Sequence, residues 1–478
     1  MKLLRLSRKL SVVALAVAVG ACDEGLTDLN QNPNAPTDVP ADLILRNAVQ
    51  SVANTALGVG MSWNHAGLWA QHVAQIQYAE EDRYQPRVDN IQAFWDALYV
   101  APAKDFDVVA SKSRAANRPL QEGVGLVMKS WTFGVMTDLW GDIPYTEALQ
   151  GDASGNFTPK YSTQQEVYNG LFTDLRRADQ LLAPGGATGF GAADLIYNGD
   201  GTRWRRFANS LRLRNAMHLT KVDAAKARSE FEAAIANPVL SSNADNAVLR
   251  YTGAAPNQNP FFVNVLSRDD HRISKTMVDM LRNLNDPRLP VYAQPAQSNG
   301  QYVGYGNGLP NNSMLLADAS KIGSAFLAAN APAYFMTAAE VFFLRAEAAQ
   351  RGWNAGGGTA AQHYAAGIRA AMEMYGISSS AIDAYLAQPS VQYDPARGFQ
   401  QIATQKWIAL YLQGYEAWTE WRRTGFPQIA PGPAARGPVP RRLPYPGLEV
   451  SLNKANLDAA IARQGDTGLA GRVWWDRP

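Results

Sequence analysis

Cysteine occurs once in 478 residues, at Cys22. A lone thiol excludes an internal disulfide and a cysteine zinc cage, so neither staple holds this chain. An excess of one charge sign is also lacking, with 44 Lys and Arg against 42 Asp and Glu. A near-neutral chain has no general electrostatic attraction for nucleic acid or anionic lipid, and nucleic acid is excluded as a partner. Long apolar runs are scarce as well. The run at 10–21 is shorter than the roughly 20 residues of a spanning helix, and Asp23 and Glu24 end it.

Catalytic spacings are missing too. The five histidines, His65, His72, His218, His271 and His363, form no i,i+4 pair and no His-Glu-x-x-His, and no Gly-x-Ser-x-Gly elbow or P-loop occurs. Gly304, Gly306 and Gly308 in "GYGNG" lack the strand-to-helix setting of a dinucleotide fingerprint and read as turns. Glu80, Glu81, Asp82, Asp269 and Asp270 could supply a glycosidase pair only if two came close together, and clusters of this kind are usually caps or solvated faces. No catalytic residue, cofactor or metal site is expected.

What is present begins at the amino terminus. Lys2, Arg5, Arg8 and Lys9 precede the apolar run, and Val19-Gly20-Ala21-Cys22 resembles a bacterial lipobox, with cleavage before the cysteine and acylation of its thiol. Residues 1–21 are therefore expected to be a removed signal peptide, Cys22 the lipidated residue, and 22–40, with Pro33, Pro36 and Pro40, an extended leash. Several acyl chains at about 0.8 kcal/mol per buried CH₂ hold a protein on a membrane. Without residues 1–21 the net charge is −2.

The remainder, 41–478, reads as one all-α domain. Apolar residues recur at helical spacing over 41–78, 90–111, 120–139, 163–182, 204–236, 337–352, 360–375 and 400–423. Stretches at 238–272, 285–333 and 425–447 are rich in Asn, Pro, Gly and Ser without a sustained period, and loops this long usually carry function. "AEVFFLRAEAAQRGWNAGGGTAAQHYAAGIRAAMEMYG" resembles a tetratricopeptide helix pair, although a strict 34-residue period is absent and a plain helical bundle fits nearly as well.

Seven segments then occur in the order and at roughly the spacings of the SusD/RagB family: "GLWAQHVAQIQYAEEDRY", "TDLWGDIPYTEAL", "WRRFANSLRLRNAMHL", "DPRLPVYA", "TAAEVFFLRAEAAQRG", "QKWIALYLQGYEAWTEWRRTGFP" and "RRLPYPGLEVSLNKANL". The chain is similar to that family over essentially the whole mature chain, from "DLNQNPNAPTDV" to "VWWD" (28–476). The resemblance implies an all-helical tetratricopeptide-like scaffold with long ligand loops, on a surface-exposed outer-membrane lipoprotein of nutrient uptake. It also implies a partner, a SusC-like TonB-dependent β-barrel over which the protein sits as a lid. Asp23-Glu24 after the cysteine is similar to the surface-export signal of such lipoproteins.

Some of these segments read as scaffold: Gly141 and Gly425 as helix caps, Trp140 and Tyr145 as a buried corner, Arg422 and Arg423 against a helix dipole. For the ligand, sugar rings need an aromatic platform beside Asn, Asp, Gln or Arg. Arg83 and Tyr84 sit where the family's chain turns towards the ligand face. Trp63, Asn64 and Trp69 lie nearby in sequence, and the middle loops add Phe261, Tyr292, Tyr302, Tyr305 and Asn307. These ten are the expected ligand-binding set. The expected ligand is an oligosaccharide, with a peptide, as in the RagB branch, or a purely structural assembly role as alternatives.

Overall fold

Helices carry the architecture, and their ends fall where the sequence punctuates them. A computed structural model describes residues 38–478. The expected signal peptide, the lipidation at Cys22 and all but the last residues of the leash lie outside the described residues. Helices of eight residues or more are α1 (Ala41–Ala56), α2 (Val88–Leu98), α3 (Lys104–Ala115), α4 (Pro119–Trp140), α5 (Gln164–Leu182), α6 (Gly201–His218) and α7 (Ala224–Ile235). They continue as α8 (Lys275–Asn283), α9 (Ala338–Gln350), α10 (Ala360–Glu373), α11 (Ser379–Leu386), α12 (Gly398–Ala409), α13 (Gly414–Thr424) and α14 (Lys454–Gln464). Ala41–Pro478 is one contact-dense unit.

Caps fix several starts. Thr163 and Glu166 bond reciprocally at the head of α5, and Thr359 and Gln362 do the same for α10. The Asp200 carboxylate accepts from the Thr202 and Arg203 amides to begin α6. On α5 the buried positions Val167, Leu171, Leu175, Ala178 and Leu182 follow the helical period and form one stripe. By contrast α4 is buried on nearly every side, which makes it a central helix. It packs on α3 and α5, then α5 on α6 and α6 on α7, while α9, α10 and α12 form a second set joined to the first through α6. This succession of stacked neighbours is the tetratricopeptide-like, all-α scaffold. Gly125 lets α3 and α4 approach, since a Cβ there would lie 2.7 Å from the Ala110 nitrogen.

Three helical stretches are shorter than their apolar period suggests. The first ends at Ala56, because Gly58, Gly60 and Gly67 break the chain into the short helices Val59–Ser62 and Ala66–Trp69 before strand β1 (Val73–Gln75). The stretch at 204–236 divides after His218, where the Asp223 side chain accepts from the Lys226 amide and starts α7. The stretch at 400–423 divides at Leu412, whose φ of 62° is outside the helical region. Arg422 and Arg423 do more than face a dipole. Both are buried, and Arg423 pairs with Glu347 and Glu420.

The middle loops are pinned by two-stranded ladders. β1 pairs antiparallel with β5 (His271–Ile273), Gln75 opposite His271, and β4 (Ala247–Leu249) pairs with β6 (Ala333–Met336). The remaining ladder joins β2 (Ile143–Pro144) and β3 (Tyr161–Ser162). The turn at 62–67 is held by α13: a Cβ on Gly414 would lie 2.8 Å from the Gly67 nitrogen and 2.9 Å from Ser62 Cα. Trp63 and Asn64 therefore sit on a rigid corner facing the loops.

Candidate functional site

Two cavities open on either side of a pair of stacked rings. Trp63 and Phe261 lie 4.5 Å apart at an interplanar angle of 4°. The helix Pro260–Val265 and the segment 321–327 contribute to both cavities.

On the Trp63 side is a polar cleft of about 490 Å³. Its charged frame consists of Arg268 paired with Asp270, and Asp269 paired with Arg272 at 2.8 Å and Lys321 at 3.2 Å. Burial pushes the His271 imidazole down to about 3, helped by the charges of Arg268 and Arg272. The ring is therefore neutral, and its Nε2 lies 2.8 Å from Asn64 Oδ1, which accepts. Arg268 also stands over the ring of Tyr78 at 4.9 Å. Tyr78 is 55% exposed and has a φ of 54°, an uncommon conformation for a bulky residue. Tyr78 does not line the cleft; it lies outside it, joined to it through Arg268, while the lining itself supplies cations, two carboxylates and amides of the kind that hydroxyl rims require.

On the Phe261 side is an aromatic cavity of about 400 Å³. Tyr251, Phe326, Tyr334, Tyr375 and Tyr411 complete its walls with Phe261. Tyr292 lies behind them, stacked on Tyr411 at 4.5 Å.

The structure places part of the expected set at these cavities and the rest elsewhere. Trp63, Asn64 and Phe261 meet at the two cavities. Trp69, Tyr292 and Tyr305 are fully buried, and Trp63 and Phe261, although they wall the cavities, are buried too, so none of the five is an exposed platform. Trp69 packs edge-on against Trp418 and donates to the Glu81 carbonyl, Tyr292 donates to the Ile408 carbonyl, and Tyr305 packs with Ala74, Ile76 and Ala319. Asn307 is a brace: its Nδ2 donates to the Val73 carbonyl and to Asp82 Oδ1, both at 2.8 Å. Tyr84 is buried with a φ of 63°. Arg83 is half-buried and pairs with Glu80 at 3.2 Å. Tyr302 is half-buried, and its carbonyl accepts from Arg282.

The acids considered for glycosidic chemistry are engaged elsewhere. Glu81 is buried and pairs with Arg87 at 2.6 Å. Burial pushes the Asp82 carboxyl up to about 7, against the hydrogen bonds from Asn307 and the Gln75 amide. One group of metal-type side chains occurs among the described residues: His218, Glu416 and Glu420 hold ligand atoms within 4.8 Å of one another. The Lys406 ammonium already lies 3.3 Å from Glu420 and Arg214 lies 3.5 Å from Glu416, so protein cations occupy that charge.

Tyr78, Arg268 and the remaining aromatic walls were not among the expected residues. Tyr78 closes a stretch that reads as helix, and only the break after Ala56 frees it to point outward. Tyr375 precedes Gly376 at a helix end and Tyr334 lies on β6, so no period or motif marks either as part of a cavity.

The sequence matches, over residues 33–446, the model of a SusD-like family described as starch-binding and associating with the outer membrane. No curated protein matches it. Among solved structures, a chitin-binding protein is 29% identical with a TM-score of 0.81, covering 91% of this chain and 99% of its own. A chitin-binding SusD homologue from Flavobacterium johnsoniae is 26% identical with a TM-score of 0.80, covering 91% and 98%. A SusD homologue from Bacteroides uniformis is 27% identical with a TM-score of 0.80, covering 92% and 100%. Among the described residues no helix is long and apolar enough to cross a membrane.

Proposed function

The chain belongs to the SusD-like family, and from that premise we propose that it is a surface lipoprotein, anchored at Cys22, that binds oligosaccharide and passes it to a SusC-like TonB-dependent barrel. The family description and the chitin-binding relatives support a glycan as the ligand class. The observation that carries the reading is the polar cleft, lined by Trp63 and by charges of both signs, one of which, Arg268, stands over the exposed Tyr78 ring just outside it. A ring's C–H face stacks on Tyr78 while its hydroxyls bond the charged frame.

The protein acts as a binder and not as an enzyme. Among the acids considered for glycosidic chemistry, Glu81, Asp82 and Asp269 are engaged by Arg87, Asn307 and Arg272. The reading is tested by calorimetry of the purified protein against a panel of oligosaccharides and peptides. Tyr78→Ala is expected to weaken the glycan that binds by about 1–3 kcal/mol, the scale of an important contact aromatic, without shifting the melting temperature. Binding only to peptides, or a Tyr78→Ala variant that binds normally, would overturn the assignment of the cleft.

A further inference from the structure

The aromatic cavity carries features that a mere packing defect lacks. Its walls are six aromatic rings, yet several polar groups facing that apolar lining have no protein partner. Gln413 is 5% exposed, and among the described residues its side-chain amide makes no hydrogen bond. It stands at the N-cap position of α13, but its side chain does not cap the helix. The hydroxyls of Tyr334 and Tyr375 likewise bond no protein group among the described residues, whereas those of Tyr251 and Tyr411 are used, on Asn54 and on the Tyr292 carbonyl. Arg250 is exposed on the rim and forms no ion pair among the described residues. The Gln413 amide and the two hydroxyls are open to the cavity, so a ligand that enters it meets hydrogen-bonding groups no protein group already uses. Leu412, held at a φ of 62° immediately before Gln413, adds local strain of the kind that persists where surrounding structure fixes a side chain's direction.

The chemistry of the lining selects its occupant. A carboxamide offers one acceptor and two donors, which suits a second amide better than a lone hydroxyl. Aromatic walls suit a methyl group and the C–H face of a ring. Two phenol hydroxyls suit ring hydroxyls. An acetamido sugar has all three: amide, methyl and hydroxylated ring. A peptide segment of similar size would bring several backbone N–H and C=O groups into walls that satisfy few of them. The volume lies within the usual range of small-ligand pockets, roughly 300–1,000 Å³.

We propose that the aromatic cavity is a second binding site, specific for an N-acetylated amino-sugar residue whose acetamido group is read by Gln413, a specificity that rests on the glycan reading of the polar cleft. The Trp63–Phe261 pair separates the two sites, so they are distinct surfaces sharing one wall.

The test uses tri-N-acetylchitotriose as probe, with its de-N-acetylated trimer and maltotriose as comparators, on the purified protein by calorimetry and by saturation-transfer NMR of the acetyl methyl. The N-acetylated trimer is expected to bind, with methyl saturation. Gln413→Leu is expected to weaken it roughly tenfold and Tyr375→Phe several-fold, both leaving the unfolding midpoint unchanged because neither side chain bonds the scaffold. Unchanged affinity in a folded Gln413→Leu variant, equal binding of the three trimers, or capture of an acetylated tripeptide in their place would overturn the proposal. If Tyr78→Ala weakens glycan while Gln413→Leu is silent, only the second site fails. If Gln413→Leu weakens the N-acetylated trimer while Tyr78→Ala is silent, the second site stands and the cleft fails.

Discussion

Single aromatic residues divide into those that face a cavity and those that hold the loops around it, and burial separates the two. Tyr305 is fully buried, and its hydroxyl donates to the Pro310 carbonyl while its ring packs on β1. Tyr305→Ala is therefore expected to lower stability by about 3–5 kcal/mol, as loss of a core ring does. Tyr84→Ala should destabilise in the same direction. Urea unfolding of both variants checks this, and normal stability with lost glycan affinity would return them to the ligand site. Their surroundings in sequence, Arg83 and Asn307, are polar, and that polarity is what made the two rings look exposed. It comes instead from buried bracing: Asn307 binds carbonyls of the turn at 68–73 and the Asp82 carboxylate. Whether a polar neighbour is a brace or a ligand group depends on contacts more than 200 residues away in the chain. Trp63 and Asn64 sit on a rigid corner beside the polar cleft, Trp63 in its wall and Asn64 behind it on His271. Tyr78 was hidden by an apolar period that continues past the real end of the helix.

At the scale of elements, the helices were legible wherever a cap or a proline marked their ends, and the buried charges between them were not. Arg214 on α6 grips Glu340 on α9 at 2.7 and 2.6 Å and donates to the Tyr415 hydroxyl. Arg423 on α13 grips Glu347 on α9, and Lys406 on α12 reaches Glu420 on α13. His218, at the end of α6, lies 2.9 Å from the Tyr168 hydroxyl on α5 and 3.4 Å from Glu416. On paper each helix shows charges that suit a solvated face, and only stacking α6, α9, α12 and α13 turns those faces inward. Burial opposes the His218 charge, but Asp138 and Glu416 outweigh it and raise the imidazolium to about 9.

The sign of the pH dependence follows from linkage. Below pH 6.5 His218 carries its proton in both folded and unfolded chains, and its contribution is complete. Between 6.5 and about 9 the unfolded chain loses the proton first, and stability falls by up to about 3 kcal/mol. Asp82 acts in the same direction at lower pH: its raised folded value means that stability declines from about 4 to about 7. Glu347 and Glu416 are buried yet held down to about 2 by Arg423 and Arg214, so their contribution disappears as pH drops below about 4.5. Burial holds His72 and His271 down to about 3, so between 3 and 6.5 the unfolded chain binds their protons and the folded one does not, and stability rises there by more than Asp82 removes. A stability maximum near pH 6.5 is therefore expected in urea titrations. In His218→Gln the slope between 6.5 and 9 should flatten; an unchanged slope would show that His218 is not the group responsible.

For the whole molecule, the described scaffold from Ala41 to Pro478 is one contact-dense unit. The scaffold was legible as all-α because its apolar periods are long, whereas the cavities form only when loops distant in sequence converge on α13 and the corner at Trp63. We propose that acyl chains on Cys22 hold the protein at the outer membrane and that the leash at 22–40 lets it rise and settle over its barrel. Without those chains, none of the described helices could keep it on a bilayer. Cys22→Ser is therefore expected to leave the membrane fraction without detergent, while the same purified protein still binds glycan at both cavities. The wild type, in contrast, should be cut by protease added to intact cells and should co-purify in detergent with a large barrel, through an interface above the roughly 1,000 Å² of a specific contact. Retention of Cys22→Ser on membranes after the barrel gene is deleted would show that something other than the lipid holds the protein. Retention that disappears with the barrel would instead show the partner itself serving as a second anchor, so the double comparison separates tether from lid.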